Sequence, residues 1–182
     1  MQMNEINPFD LAINPHHLFD KQTLLLAAGD FSSGHFNEMT IGWGSIGTMW
    51  NKPFVEVVIR PTRFTYEFME TYEDFTVSAF PSEYKRALSY LGTRSGRDGN
   101  KLAETDLTAI ASQRVKSPSF EQAELTIECR TIYSTDFDPT EFIDPTIERN
   151  YPKKDYHRVY YGEIMGIFGT EKFVNKLLVD GS

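Results

Sequence analysis

A mainly β barrel with a few attached short helices is the fold class predicted for this 182-residue chain. Three observations predict it. Short runs rich in β-branched and aromatic residues recur along the chain, separated by Gly, Ser, Asn and Asp in turn-forming clusters. Aromatic residues reach 14%, with fourteen Phe and nine Tyr, and such rings pack well on a pleated, half-buried surface. The helical patterns are short and do not alternate with strands in the way a parallel α/β sheet requires.

Taken in order, Leu24-Leu25-Leu26-Ala27-Ala28 is a short apolar run ended by Gly29-Asp30, the pattern of a buried strand. Phe31 to Phe36 holds Ser-Ser-Gly-His and reads as a turn, so Asn37 to Trp43 is the returning strand. Phe54 to Ile59 is a strand by its β-branched content. Thr62 follows Pro61 and is placed to cap a helix in which Phe64, Phe68 and Tyr72 form one apolar face. Asp74 to Phe80 reads as a strand, and Ser82 to Leu91 as a second helix capped by Ser82 and stopped at Gly92. Leu125 to Tyr133 and Arg158 to Phe168 are the strongest later strands. Between them, Asp136 to Asp155 carries three prolines and many charges, and predicts a long excursion with one helical turn. The chain shows no repeat and no composition break, so a single domain over residues 1–182 is expected.

Bulk charge narrows the function classes. A formal charge of −8 repels nucleic acid and anionic membranes. The beginning, MQMNEINPFD, has neither a basic segment nor an apolar run, and no apolar stretch reaches the roughly 20 residues of a membrane helix. A cytoplasmic setting is the expectation. One cysteine, Cys129, excludes an internal disulfide, and its place within a strand predicts an inert buried thiol. His16-His17 is a tempting metal pair, but adjacent side chains diverge and no further Cys or His completes a set, so no metal site is expected.

Two segments stand out chemically. Residues 60–63 and 94–101 hold five of the eighteen Lys and Arg residues. One reading is a phosphate site: Arg60 or Arg63 for charge, Thr62 and Thr65 for hydroxyls, and a helix start for N–H groups, with Ser95, Gly96 and Lys101 closing over the anion. The other is a set of solvated loop charges paired with Asp98 or Glu104. The second segment is Asn37 to Gly47. In a strand, Asn37, Met39, Ile41 and Trp43 share one face, and the density of Gly42, Gly44 and Gly47 marks a bulge or a flat partner against the backbone.

Together these segments resemble the flavin reductase-like, FMN-binding split-barrel family, nearest its flavoredoxin-type members. The resemblance is carried by Asn37-Glu-Met-Thr40, Trp43-Gly-Ser45-Ile-Gly47 and Trp50-Asn-Lys-Pro53. It continues through Val57-Val-Ile-Arg-Pro-Thr-Arg-Phe-Thr65, Asp74-Phe-Thr-Val-Ser78, Gly92 to Lys101, and His157-Arg-Val-Tyr-Tyr-Gly-Glu163. It implies a Greek-key barrel that dimerises with FMN near the interface. By position, Asn37, Met39, Thr40, Trp43 and Ser45 would belong to the flavin ring and ribityl region. Arg60, Thr62, Arg63 and Thr65 would sit at the phosphate, with Ser95 and Lys101 closing the site. His157 falls near the nicotinamide pocket of reductase members, as the expected catalytic position; its other reading is a structural histidine.

The excursion over 136–155 is longer and more charged than the family pattern and would cover the face where a nicotinamide enters. Three functions therefore stand: an NAD(P)H-dependent reductase passing electrons through FMN to flavin or another acceptor, a non-enzymatic FMN carrier reduced by a redox protein, and a flavin-free binding module. The −8 charge weighs against an oligonucleotide-binding version of the last.

Overall fold

The protein is described by a computed structural model over residues 2–175. Its centre is an antiparallel sheet of eight strands. These are β1 (Asn4–Glu5), β2 (Leu24–Asp30), β3 (His35–Ile41), β4 (Gly44–Met49), β5 (Lys52–Ile59), β6 (Asp74–Ala79), and the long pair β9 (Leu125–Asp136) and β10 (Arg158–Gly169), with β7 (Ala109–Ile110) and β8 (Ser119–Phe120) forming a separate small ladder. The order across the sheet is β3-β2-β6-β9-β10-β5-β4, and β1 adds to β10.

This order explains the barrel. β3 and β4 are its two ends, yet only Gly42 and Trp43 separate them in the chain. Three residue steps span at most about 11 Å, so the two edges meet at Ile41 and Gly44 and the sheet must curl. Helix α1 (Pro15–Asp20) packs on β4 there, burying Leu18 and Phe19. Helices α2 (Phe64–Thr71) and α3 (Lys85–Thr93) both pack against β3. β2 is buried on both faces, which is why its sequence is apolar without alternation. Leu24, Leu26 and Ala28 enter the barrel core, while Leu25 and Ala27 join Leu88 and Leu91 beneath α3.

The main strands fall where their patterns place them, but several details differ. Thr62 does not cap α2: Arg63 holds the extended N-cap position and no side chain caps the helix. Ser82 opens a 3-10 turn, Ser82–Tyr84, rather than capping α3. Gly92 does not stop α3, which runs to Thr93. Its small size serves another purpose, because a Cβ there would overlap Thr40 Oγ1 on β3. Of the three glycines that mark a bulge or a flat partner in the sequence, Gly44 and Gly47 belong to the strand β4 and Gly42 to the link before it, and Trp43 lies outside β3. The 136–155 excursion carries two 3-10 turns, Pro139–Glu141 and Ile147–Asn150. α1, β1, β7 and β8 had no clear sequence signal.

No helix among the described residues is long and apolar enough to cross a membrane. Nor do three or more His, Cys, Asp or Glu residues gather in a metal-ligating group among them. Cys129 is fully buried, and burial pushes its thiol far up, so it carries no reactive thiolate.

Candidate functional site

Where α2 begins and α3 ends, both helices face the middle of β3 and leave a pocket of about 130 Å³. Asn37, Met39, Thr62, Arg63, Thr65, Ser95, Gly96 and Lys101 all line it, so the structure brings most of the sequence-selected residues together. Asn37 Nδ2 donates to Thr65 Oγ1 at 2.6 Å and to the Glu38 carbonyl at 3.1 Å, which ties strand to helix. The first turn of α2 has no side-chain cap, and Arg63, Phe64 and Thr65 at its start line the pocket. Gly96 closes the other wall. A Cβ there would overlap Asn37 Oδ1 and lie 2.9 Å from Phe64 Cδ1, so only glycine lets this loop approach so closely.

Three cations line this pocket: Lys101 is buried, Arg63 half-buried and Arg94 exposed. Lys101 Nζ donates to the carbonyls of Glu38 at 2.6 Å and Leu91 at 3.0 Å, and lies 3.8 Å from the Glu38 carboxylate. Arg63 donates to the Gly92 carbonyl at 3.2 Å. Both therefore also satisfy the last carbonyls of α3, the electronegative end of a helix. Burial holds the Arg63 guanidinium below its ordinary value. Burial likewise lowers Lys101, with Glu38 opposing that shift and Arg63 adding to it. Glu38 is raised by burial, against the pull of Lys101. A buried lysine, a half-buried arginine, the uncapped start of α2 and hydroxyls thus line one small cavity, an arrangement with the chemistry to suit an anion. Glu38 was missed in the sequence, where an acidic residue in a half-buried strand carries no special mark.

The remaining candidates lie elsewhere. Ser45 hydrogen-bonds Glu56 Oε2 at 3.2 Å across the β4–β5 hairpin. Thr40 packs against Gly92 rather than into the pocket. Arg60 is turned to the 136–155 excursion: it pairs with Asp155 at 2.9 Å, donates to the Asn150 carbonyl at 2.8 Å, and covers the Tyr151 ring at 5.0 Å. Trp43, 48% exposed, sits 5.0 Å from the His157 ring. His157 is buried, and Tyr151 Oη lies 2.8 Å from its Nδ1. Burial, reinforced by Arg60 and opposed by Asp155, lowers His157 to about 4, so its imidazole is neutral at physiological pH. Tyr151 was hidden in the sequence among the charges of the excursion, although its ring contacts with Phe142 and Tyr156 show that segment to be packed by aromatics.

A model of the flavin reductase like domain matches residues 17–179 of this chain. The chain belongs to the flavin reductase like domain family. Among solved structures, an FMN-binding domain of a flavin reductases-like enzyme from Shewanella baltica superposes with a TM-score of 0.67 at 18% identity, covering 92% of this chain and 77% of that one. Flavoredoxin of Desulfovibrio vulgaris (Miyazaki F) gives a TM-score of 0.64 at 23% identity, covering 89% and 73%. By sequence, an uncharacterized protein of Pyrococcus abyssi is 28% identical over 141 residues, 76% of this chain and 78% of its own length. The flavin reductase like fold in this protein is thus the split barrel of those FMN-binding structures, and the pocket between α2, α3 and β3 lies within the matched region.

Proposed function

We propose that the protein is an FMN-binding oxidoreductase, with the Arg63–Lys101 pocket holding the FMN phosphate and NAD(P)H as electron donor. The observation that carries this is the meeting of the buried Lys101 and the half-buried Arg63 with the uncapped start of α2 in one small cavity. An anion there would offset the repulsion between the cations and complete the helix start. Family membership and the FMN-binding neighbours support the choice of a flavin mononucleotide.

When bound, FMN supplies the two-electron redox chemistry. The chain's part is to bind and to orient. Arg63, Thr62, Thr65, Ser95 and Lys101 would hold the phosphate, while Asn37 and Met39 line the adjoining wall. Trp43 offers an exposed ring face, and His157 a neutral imidazole beside it. Thr40 keeps α3 against β3, and Ser45 and Arg60 act as supports of their own loops.

A second reading, an FMN carrier reduced by a redox protein, draws on one observation. Arg60 pins the 136–155 excursion by an ion pair and a backbone hydrogen bond, and Tyr151 packs it against His157, which narrows access for a dinucleotide. Anaerobic absorption spectra separate the readings. Flavin bands that bleach rapidly with NADH or NADPH mark the reductase; bands that persist mark the carrier; protein that stays colourless after added FMN overturns both.

Homodimerisation belongs to the same proposal. Trp50 (55% exposed) and Tyr133 (48% exposed) contact each other and Tyr161 on the outer face of the barrel, with Met49 and Met165 also exposed. A second copy of the chain would cover this aromatic surface.

A further inference from the structure

Tyr151 follows the Ile147–Asn150 turn, in a segment that the pocket does not use, and among the described residues its phenol reaches one hydrogen-bonding partner, the histidine beside Trp43. The phenol oxygen lies 2.8 Å from His157 Nδ1. One of the two groups must donate. Tyr151 is buried, and among the described residues no other acceptor lies within hydrogen-bond distance of its phenol, so an Nδ1–H donor would leave the phenol proton buried and unpartnered. The Arg60 guanidinium over the ring is a donor only and takes no proton from the phenol. Tyr151 therefore donates, Nδ1 accepts, and the ring proton of His157 resides on Nε2.

We propose that Tyr151 is a positioning residue that locks His157 as the neutral Nε2–H tautomer, so that His157 presents one fixed N–H donor to an acceptor oxygen of a substrate lying against Trp43. The substrate part of this rests on the FMN oxidoreductase reading; the tautomer does not. Other contacts act in the same direction. The Tyr151 ring stacks on Phe142 at 6.0 Å and meets Tyr156 at 4.9 Å, so the phenol is held from behind. Arg60 fixes the backbone of the same turn through the Asn150 carbonyl and Asp155. The charged or titratable groups facing His157 are Arg60 from the end of β5, and Tyr151 and Asp155 from the excursion. Arg60 disfavours imidazolium and Asp155 favours it, while burial sides with Arg60. A neutral donor of this kind polarises an oxygen without transferring a proton, so the step asks nothing further of the histidine.

The test is nitrogen NMR of ring-labelled His157 in the full chain with FMN added, titrated between about pH 4 and pH 9, for wild type and Tyr151→Phe. Phenylalanine keeps the ring contacts and removes only the hydroxyl. Wild type is expected to show a nonprotonated Nδ1 and a protonated Nε2, unchanged above about pH 5. In Tyr151→Phe the two tautomers should mix, with Nδ1 protonated in part of the molecules. A protonated Nδ1 in wild type overturns the proposal without any variant, and so does an unchanged tautomer in Tyr151→Phe. Flavin absorbance in the same samples reports separately on FMN binding, so failure of the cofactor reading and failure of the tautomer lock give different results.

Discussion

Gly96 lies against the amide of Asn37 so closely that the smallest side chain would overlap Asn37 Oδ1. Asn37 in turn holds Thr65, at the open start of α2, by a 2.6 Å hydrogen bond. A strand, a helix start and a loop are thus joined through one buried amide. Gly96→Ala must displace that amide or the loop. FMN affinity is expected to fall at least about tenfold, equivalent to roughly 1.4 kcal/mol, in a flavin fluorescence titration. Unchanged affinity would remove the loop from the phosphate site.

Arg63 and Lys101 should separate in their effects. Arg63 makes one long hydrogen bond to the Gly92 carbonyl, so Arg63→Ala should weaken FMN by roughly 1–3 kcal/mol with a small change in urea midpoint. Lys101 holds two carbonyls and faces the buried Glu38 carboxylate. Its loss strands a buried charge, and Lys101→Ala should lower unfolding stability by roughly 3–5 kcal/mol in addition to weakening FMN. Urea denaturation with and without FMN measures both.

Arg60 was selected from the sequence with the phosphate residues, but its guanidinium serves Asp155, Asn150 and Tyr151. Arg60→Ala should leave FMN affinity within about twofold, because no phosphate contact is lost. It should free the 136–155 segment, read as faster cleavage there in limited proteolysis. A large loss of affinity with no new cleavage would return Arg60 to the phosphate.

Acid stability should depend on His157. Its folded value, about 4, lies below the ordinary 6.5, so between these values the unfolded chain binds the extra proton. The contribution of His157 to stability is complete above about 6.5 and is lost as pH falls through about 4. His157→Gln should therefore flatten the fall in urea midpoint across that window. An equally steep fall in the variant would assign the acid sensitivity to other groups.

The aromatic surface offers a test of assembly. Trp50 and Tyr133 carry the exposed part of the cluster on β9, β10 and the β4–β5 turn. Sedimentation at micromolar concentration should show a dimer for wild type and monomer for Tyr133→Lys, since a charge at the centre of an apolar contact is desolvated without a partner. Monomeric wild type would overturn the dimer.

What the sequence determined by itself was local in origin. Alternation and β-branched runs located the main strands, and the apolar run Leu24–Ala28 announced a strand buried on both faces. Of the five cations concentrated in 60–63 and 94–101, Arg63, Arg94 and Lys101 line one pocket, while Arg60 and Arg97 lie outside its lining. Helix ends were less legible. Thr62, Ser82 and Gly92 have the chemistry of caps and stops, yet Thr62 faces the pocket and Gly92 makes room for Thr40. Tertiary packing outweighs a capping preference of about 1 kcal/mol. Only the folded chain decided that Arg60 parts from Arg63, that Glu38 is buried against Lys101, and that Tyr151 reaches His157. Each of these joins elements that curl of the sheet or a long excursion brings together, and such pairings depend on strand order and register, which no local pattern of residues encodes.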